Sequence, residues 1–278
     1  MKRRFSIVLL CLGLAAAASA QTAPSSGRLL LENMLTDAVS KMHTDPSAAL
    51  KQLQWLDRKY PGEDAVKYYL GLMSWYSGDN AKAEEYLTAA AELDSSNYWY
   101  RDALANVYAA EGKNAQSADI YLGLLEEYPS RYSGAYTYTL LGDRYLSQYQ
   151  DSLARDAYDR ALAYDPAYTP AVIGRAEANR MAGNIPAFFA DAHTFVLDPS
   201  VKASAKCDYV SQLFKFVDYR FYRTWGAQLD TLVNSCVRTH PADSSALRLA
   251  GSWYYSTDRK PEGRAYFDRL LEVYPEDL

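Results

Sequence analysis

The sequence predicts an all-α chain built as a solenoid of antiparallel helix pairs. Three observations predict it. Gly78 and Gly112 lie 34 residues apart, and the segments around them are similar: YLGLMSWYSGDNAKAEEYLTAAAELD, then ALANVYAAEGKNAQSADIYLGLLEEYP. Self-similarity at that period is the mark of a helical hairpin array. Small and large apolar residues recur at spacings of three and four, which puts them on one helical stripe. Prolines fall near the close of successive units, at 61, 129, 166, 199, 241 and 275.

The N-terminus stands apart from the array. Lys2, Arg3 and Arg4 precede an apolar run from Phe5 to Ala17, and Ala18-Ser19-Ala20 is a small-residue cleavage site. Residues 1–20 therefore read as a signal peptide, with the mature chain starting at Gln21. The apolar run falls short of the ~20 residues that span a bilayer. Cys11 lies inside that run and follows Leu10 instead of a small residue, which argues against a lipoprotein signal. Cleavage removes three positive charges and no acid, taking the formal charge from -5 to -8. An acidic chain with no run of Lys and Arg is poorly suited to nucleic acid, which needs basic groups to neutralise phosphates. No second long apolar segment follows, so no stable membrane insertion is expected after cleavage.

The units follow in order. The first covers 30–62, the second 64–97, the third 98–131 and the fourth 135–167. The fifth, 169–200, has a looser register, with Pro186 near the start of its second helix and Arg175 where a large apolar residue is wanted. The sixth, 203–242, is longer and lacks a glycine turn, so its turn is expected near Arg220 and Phe221. The seventh is 244–276. Turns read GDN at 78–80, GKN at 112–114 and GN at 183–184. Glycine there accepts the left-handed conformation that ends a helix. A closing proline stops the second helix because it has no amide hydrogen. Repeat arrays usually finish with a polar capping helix, and only three residues follow Pro275. The expectation is a native protein that continues past Leu278.

Within a unit numbered so that its closing proline is position 32, small residues recur at two positions. Position 8 holds Gly71, Ala105, Gly142 and Gly251, and position 20 holds Ala49, Ala83, Ser117 and Ala154. Position 24 holds Leu53, Leu87, Tyr121, Tyr158 and Phe267, and position 11 holds Tyr108, Tyr145 and Tyr254. Small residues let the two helices approach, and the large one fills the space beside them. In this pattern the chain resembles the tetratricopeptide repeat family over nearly all of its mature length. The resemblance implies a right-handed superhelix whose first helices line a concave face. It also implies that positions 2, 5, 9 and 12 point into that face. These are Tyr68, Leu72 and Trp75 with Tyr76 adjacent, then Trp99, Asp102 and Asn106, then Tyr136, Thr139 and Asp143. Some family members grip a terminal carboxylate with Lys, Asn and Arg on successive first helices. Here only Asn106 matches, and the basic residues are missing. A neutral or basic partner segment suits this face better.

The chemistry-bearing residues are sparse. His43, His193 and His240 fall far apart, and no HExxH, CxxC pair or GxSxG occurs. Catalysis needs groups converging in one pocket and a metal needs clustered ligands. Neither an enzymatic role, a cofactor nor a metal is expected. Cys207 and Cys236 lie about equally far from the expected turn of the sixth pair, which puts them at one height. In an exported protein they form a candidate disulfide, with two buried free thiols as the alternative. The expected function is a protein–protein interaction scaffold or adaptor in a bacterial cell envelope, periplasmic or secreted. The alternatives are a glycan- or peptidoglycan-binding module and the accessory repeat region of a larger enzyme or sensor.

Overall fold

The computed structural model describes residues 26–276; the expected signal peptide, 1–20, and Cys11 lie outside the described residues. Among the described residues the secondary structure is helical, with no strand. The chain divides into two compact units, one up to Tyr100 and one from Arg101 onward.

The first unit holds α1 (Ser26–Lys41), α2 (Pro46–Lys59), α3 (Asp64–Tyr76), α4 (Asn80–Leu93) and the first turn of α5 (Tyr98–Ala110). Each helix packs on the next from α1 to α4. Leu31, Ala38, Leu53, Leu56, Val66 and Leu70 form the core. Burying each leucine there contributes about 1.5–3 kcal/mol. The starts are set by capping. Asp45 Oδ1 accepts from the Ala48 amide at 3.0 Å ahead of Pro46, and Asp79 Oδ1 accepts from the Lys82 amide at 3.2 Å. Gly78 makes the turn between α3 and α4 at φ +85°, where a side chain would be strained. The interlock is visible at Gly71. A Cβ there would lie 2.6 Å from Leu87 Cγ, so α3 and α4 meet this closely only because the position carries no side chain.

The second unit runs through α6 (Asn114–Glu127), α7 (Pro129–Tyr132), α8 (Ala135–Ser147), α9 (Asp151–Tyr164) and α10 (Thr169–Met181). It continues with α11 (Ile185–Leu197), α12 (Ala203–Leu213), α13 (Tyr219–Thr239), α14 (Ser244–Ser256) and α15 (Lys260–Val273). Hairpin partners α8 and α9, α10 and α11, and α14 and α15 pack most extensively. First helices also touch the first helices of neighbouring pairs, α8 with α10 and α12 with α14. The small-against-large interlock repeats. Cβ atoms at Gly142 and Gly251 would lie 2.5 Å from Tyr158 and 2.7 Å from Phe267. Ser117 stands at a small-residue position and satisfies its buried hydroxyl by donating to the Ala105 carbonyl at 2.8 Å.

Several local features differ from the sequence expectation. The turn of the sixth pair is not at Arg220 and Phe221. It is a 3-10 turn, Phe214–Phe216, followed by Asp218, whose Oδ1 accepts from the Phe221 amide at 2.7 Å and starts α13 at Tyr219. That cap shortens α12 to 11 residues and lengthens α13 to 21. The short helix α7 begins with Pro129, whose ring suits a first helical position. Where units four and seven lack the turn glycine, Tyr149 and Asp258 take the left-handed conformation instead, at φ 59° and 61°. Arg175 is accommodated by charge. Its guanidinium makes two bonds to Asp191, at 2.6 and 3.0 Å, and one to Asp159 at 2.7 Å. Asp191 is only 6% exposed and also accepts from Asn179 Nδ2 at 3.1 Å. A buried fork of this kind replaces the apolar side chain the unit lacks.

Candidate functional site

In the first unit, α3 carries Tyr68, Leu72 and Trp75, all half-buried, and Tyr76, which is 55% exposed. Tyr68 belongs to an aromatic cluster. Its ring lies 5.2 Å from Tyr69, edge-on, and 4.9 Å from Tyr100. The Tyr100 hydroxyl donates to Asp64 Oδ2 at 2.8 Å. Burial, then that carboxylate, raises the Tyr100 pKa far above the usual phenol value. The cluster thus holds the start of α5 against α3. Trp75 stacks on Tyr76 at 5.9 Å with 21° between the planes, forming an aromatic plate at the end of α3. Trp99 is half-buried and its ring lies 5.1 Å from Tyr98.

In the second unit, Asp102 and Asn106 lie one turn apart on α5. Asn106 Nδ2 donates to the Asp102 carbonyl at 2.8 Å, which leaves the amide oxygen of Asn106 as an acceptor. Burial raises the pKa of Asp102, and Tyr121 and Arg131 offset this in part. On α8, Tyr136 is 60% exposed and near enough to Asp102 that the carboxylate charge adds to the rise in its own pKa. Thr139 is buried, and its hydroxyl donates to the Ala135 carbonyl at 2.7 Å. Asp143 is half-buried. Burial raises its pKa, while a 2.7 Å bond from the Tyr158 hydroxyl and the nearby charge of Arg144 lower it. Arg144 Nε donates to Ser117 Oγ at 3.2 Å.

Residues 43–98 match the family model of the tetratricopeptide repeat. That segment carries the tetratricopeptide repeat. A tetratricopeptide repeat protein from Parabacteroides merdae ATCC 43184 superposes with a TM-score of 0.59 at 16% identity, covering 89% of this chain and 94% of that one. MamA from Desulfovibrio magneticus RS-1, residue 41 to the end, gives 0.52 at 17% identity, covering 62% and 93%. PilW, a type IV pilus biogenesis factor, gives 0.51 at 14% identity, covering 89% and 95%. At these identities the likeness is one of fold. A search of the curated proteins found no match.

In tetratricopeptide-repeat terms, Asp102, Asn106, Tyr136 and Asp143 occupy first helices, while Tyr121 and Tyr158 reach them from second helices. The two tyrosines and Arg144 were not among the expected site residues. The signal was present at position 24, where a phenol stands in place of an apolar side chain and needs a polar partner when buried. Cys207 and Cys236 are both buried in the core between α10 and α15, as free thiols. They are neighbours, and the Cys207 pKa is raised by the adjacent thiol and by burial. Lys206, fully buried beside them, approaches His240 Nε2 at 3.2 Å. Among the described residues no group of His, Cys, Asp and Glu is placed to hold a metal. No described helix is long and apolar enough to cross a membrane.

Proposed function

We propose that this chain is a protein–protein interaction scaffold whose first-helix faces hold an extended segment or helix of a partner protein in the bacterial cell envelope. The observation that carries this reading is the Trp75–Tyr76 plate. The two rings stack on one another, and Tyr76 is more than half exposed. Neither ring is among those packed against the core around Leu70. Aromatic residues of this kind anchor interfaces because they bring large area with few torsions to freeze. The N-terminal signal supports an envelope location.

The test is a pull-down from envelope extract with the wild-type chain and a Trp75→Ala, Tyr76→Ala variant shown by circular dichroism to be folded. A specific protein partner retained by the wild type and lost from the variant is the expected result. Identical captured sets would remove the plate from the binding surface. Retention on purified peptidoglycan, lost in the same variant, would favour sugar stacking on the same rings instead.

A further inference from the structure

We propose that the turn between α12 and α13 is a contact surface for an anionic lipid membrane. Phe216 and Tyr219 enter the interface, and Lys215, Arg220 and Arg223 meet the headgroups. This surface is independent of the first-helix reading above.

Residues 214–225, FKFVDYRFYRTW, carry six aromatic rings, three basic residues and one acid, on a chain whose formal charge is -5. Packing sorts the rings. Phe214, Phe221, Tyr222 and Trp225 turn inward against the core of the second unit. Phe216 and Tyr219 do not join it, and they are 63% and 76% exposed. Single exposed rings are ordinary, but two of them three positions apart at one turn form an apolar patch.

Cations lie against the same rings. The Arg180 guanidinium is 4.8 Å from the centre of the Phe216 ring, and that of Arg223 is 5.9 Å from Tyr219. Arg180 is neutralised by Glu177, to which its Nε donates at 2.9 Å. Lys215, Arg220 and Arg223 are exposed and form no ion pair among the described residues. Asp218, the one acid, spends an oxygen on the Phe221 amide at 2.7 Å. Arg220 and Arg223 also sit near the start of α13, whose first turn has no acid, so the positive end of the helix dipole opposes them. That placement costs stability and concentrates positive potential at the turn.

A matching surface must offer negative charge with an apolar phase just beneath it. Phe216 has no polar atom and gains nothing from charge alone. A layer of anionic headgroups over hydrocarbon supplies both. Tyr219 suits the boundary, because its ring is apolar and its hydroxyl is not. An acidic peptide meets the cations, but the cavity beside Phe216 holds about 150 Å3, room for one side chain. The negative charge of the rest of the chain opposes approach weakly, because salt screens it beyond about 8 Å.

The test is co-sedimentation of the chain from Gln21, which lacks the apolar run at 5–17, with vesicles of phosphatidylcholine alone or mixed equally with phosphatidylglycerol. The wild type should sediment with the mixed vesicles, less with phosphatidylcholine alone, and less as salt is raised. Lys215→Gln, Arg220→Gln and Arg223→Gln together should weaken binding by about 100-fold, from about fivefold for each charge. Phe216→Ser with Tyr219→Ser should weaken it by about tenfold or more. All five positions are exposed, so circular dichroism should show both variants folded. Lys51→Gln, Arg58→Gln and Arg160→Gln together remove the same charge from exposed positions elsewhere and should bind within about twofold of the wild type. No binding to the mixed vesicles would overturn the proposal. So would equal losses from the two charge variants, or full binding by both turn variants. Capture of a polyglutamate peptide without vesicle binding would also overturn it and assign the turn to an acidic protein segment. The scaffold reading survives each of these failures.

Discussion

Gly142→Ala should destabilise the second unit, although alanine is the better helix former. The added Cβ would lie 2.5 Å from Tyr158 Cε1 and 2.7 Å from Cδ1 and Cζ. Carbon atoms pack comfortably at about 3.5–4.0 Å, so the ring must shift by roughly an ångström. It has nowhere to go. Tyr158 is fully buried, and on α10 the Cβ position of Gly174 is only 2.3 Å from the same ring. Overpacking of this kind costs about 1–3 kcal/mol. A moved ring also bends the 2.7 Å bond to Asp143, and a bond to a charged group is worth about 1.5–3 kcal/mol. Replacing helical glycine returns about 1 kcal/mol. The net loss is about 1.5–5 kcal/mol, a fall in Tm of about 3–20 °C for a unit of this size. Thermal unfolding followed by circular dichroism measures it. The double variant Gly142→Ala, Tyr158→Leu should lose less than the two single losses added together, because the clash goes with the ring. A Gly142→Ala chain as stable as wild type, or strict additivity in the double variant, would refute the interlock.

Other outcomes follow from the same physical terms. Arg175→Met should cost about 3–5 kcal/mol by leaving Asp191 charged and buried, and adding Asp191→Asn should recover most of it in the same melts. Tyr149→Gly should raise stability by up to about 1 kcal/mol, since Tyr149 sits exposed at φ 59°; a loss would show that its ring contributes more than the backbone strain costs. Burial raises the Asp102 pKa, so its ionised form opposes folding above the folded-state pKa, and that cost disappears as pH falls through it. Asp102→Asn should therefore melt higher than wild type at pH 7 and level with it near pH 3, below the ordinary carboxylate value of about 3.9. An equal difference at both pH values would assign the gain to something other than charge. For the neighbouring thiols, we propose that Cys207 and Cys236 close to a disulfide, diamide taking up their two hydrogens. Peptide mapping after denaturing alkylation should then find them linked, and two alkylated cysteines would refute it.

The sequence by itself determined the repeating architecture. The 34-residue glycine spacing, the alternation of small and large residues and the closing prolines are local or periodic signals, and each acts through backbone geometry. Gly71, Gly142 and Gly251 were legible as close-approach positions for that reason. What the sequence could not give was the result of several nearby groups competing for one partner. Asp218 reads as an ordinary polar residue until its side chain caps α13 and moves the turn away from Arg220 and Phe221. Arg175 reads as a departure from the pattern until Asp159 and Asp191 arrive from the helices before and after it. The same holds at the candidate site. Thr139 and Asp143 lie four residues apart on one helix, yet one hydroxyl is spent on its own backbone and one carboxylate is closed by Tyr158. Asp102 and Tyr121 are 19 positions apart in sequence, yet the tyrosine and Arg131 both offset the rise that burial gives the Asp102 pKa. Periodicity fixes which face a residue occupies, and only tertiary packing decides whether its polar atoms are already satisfied.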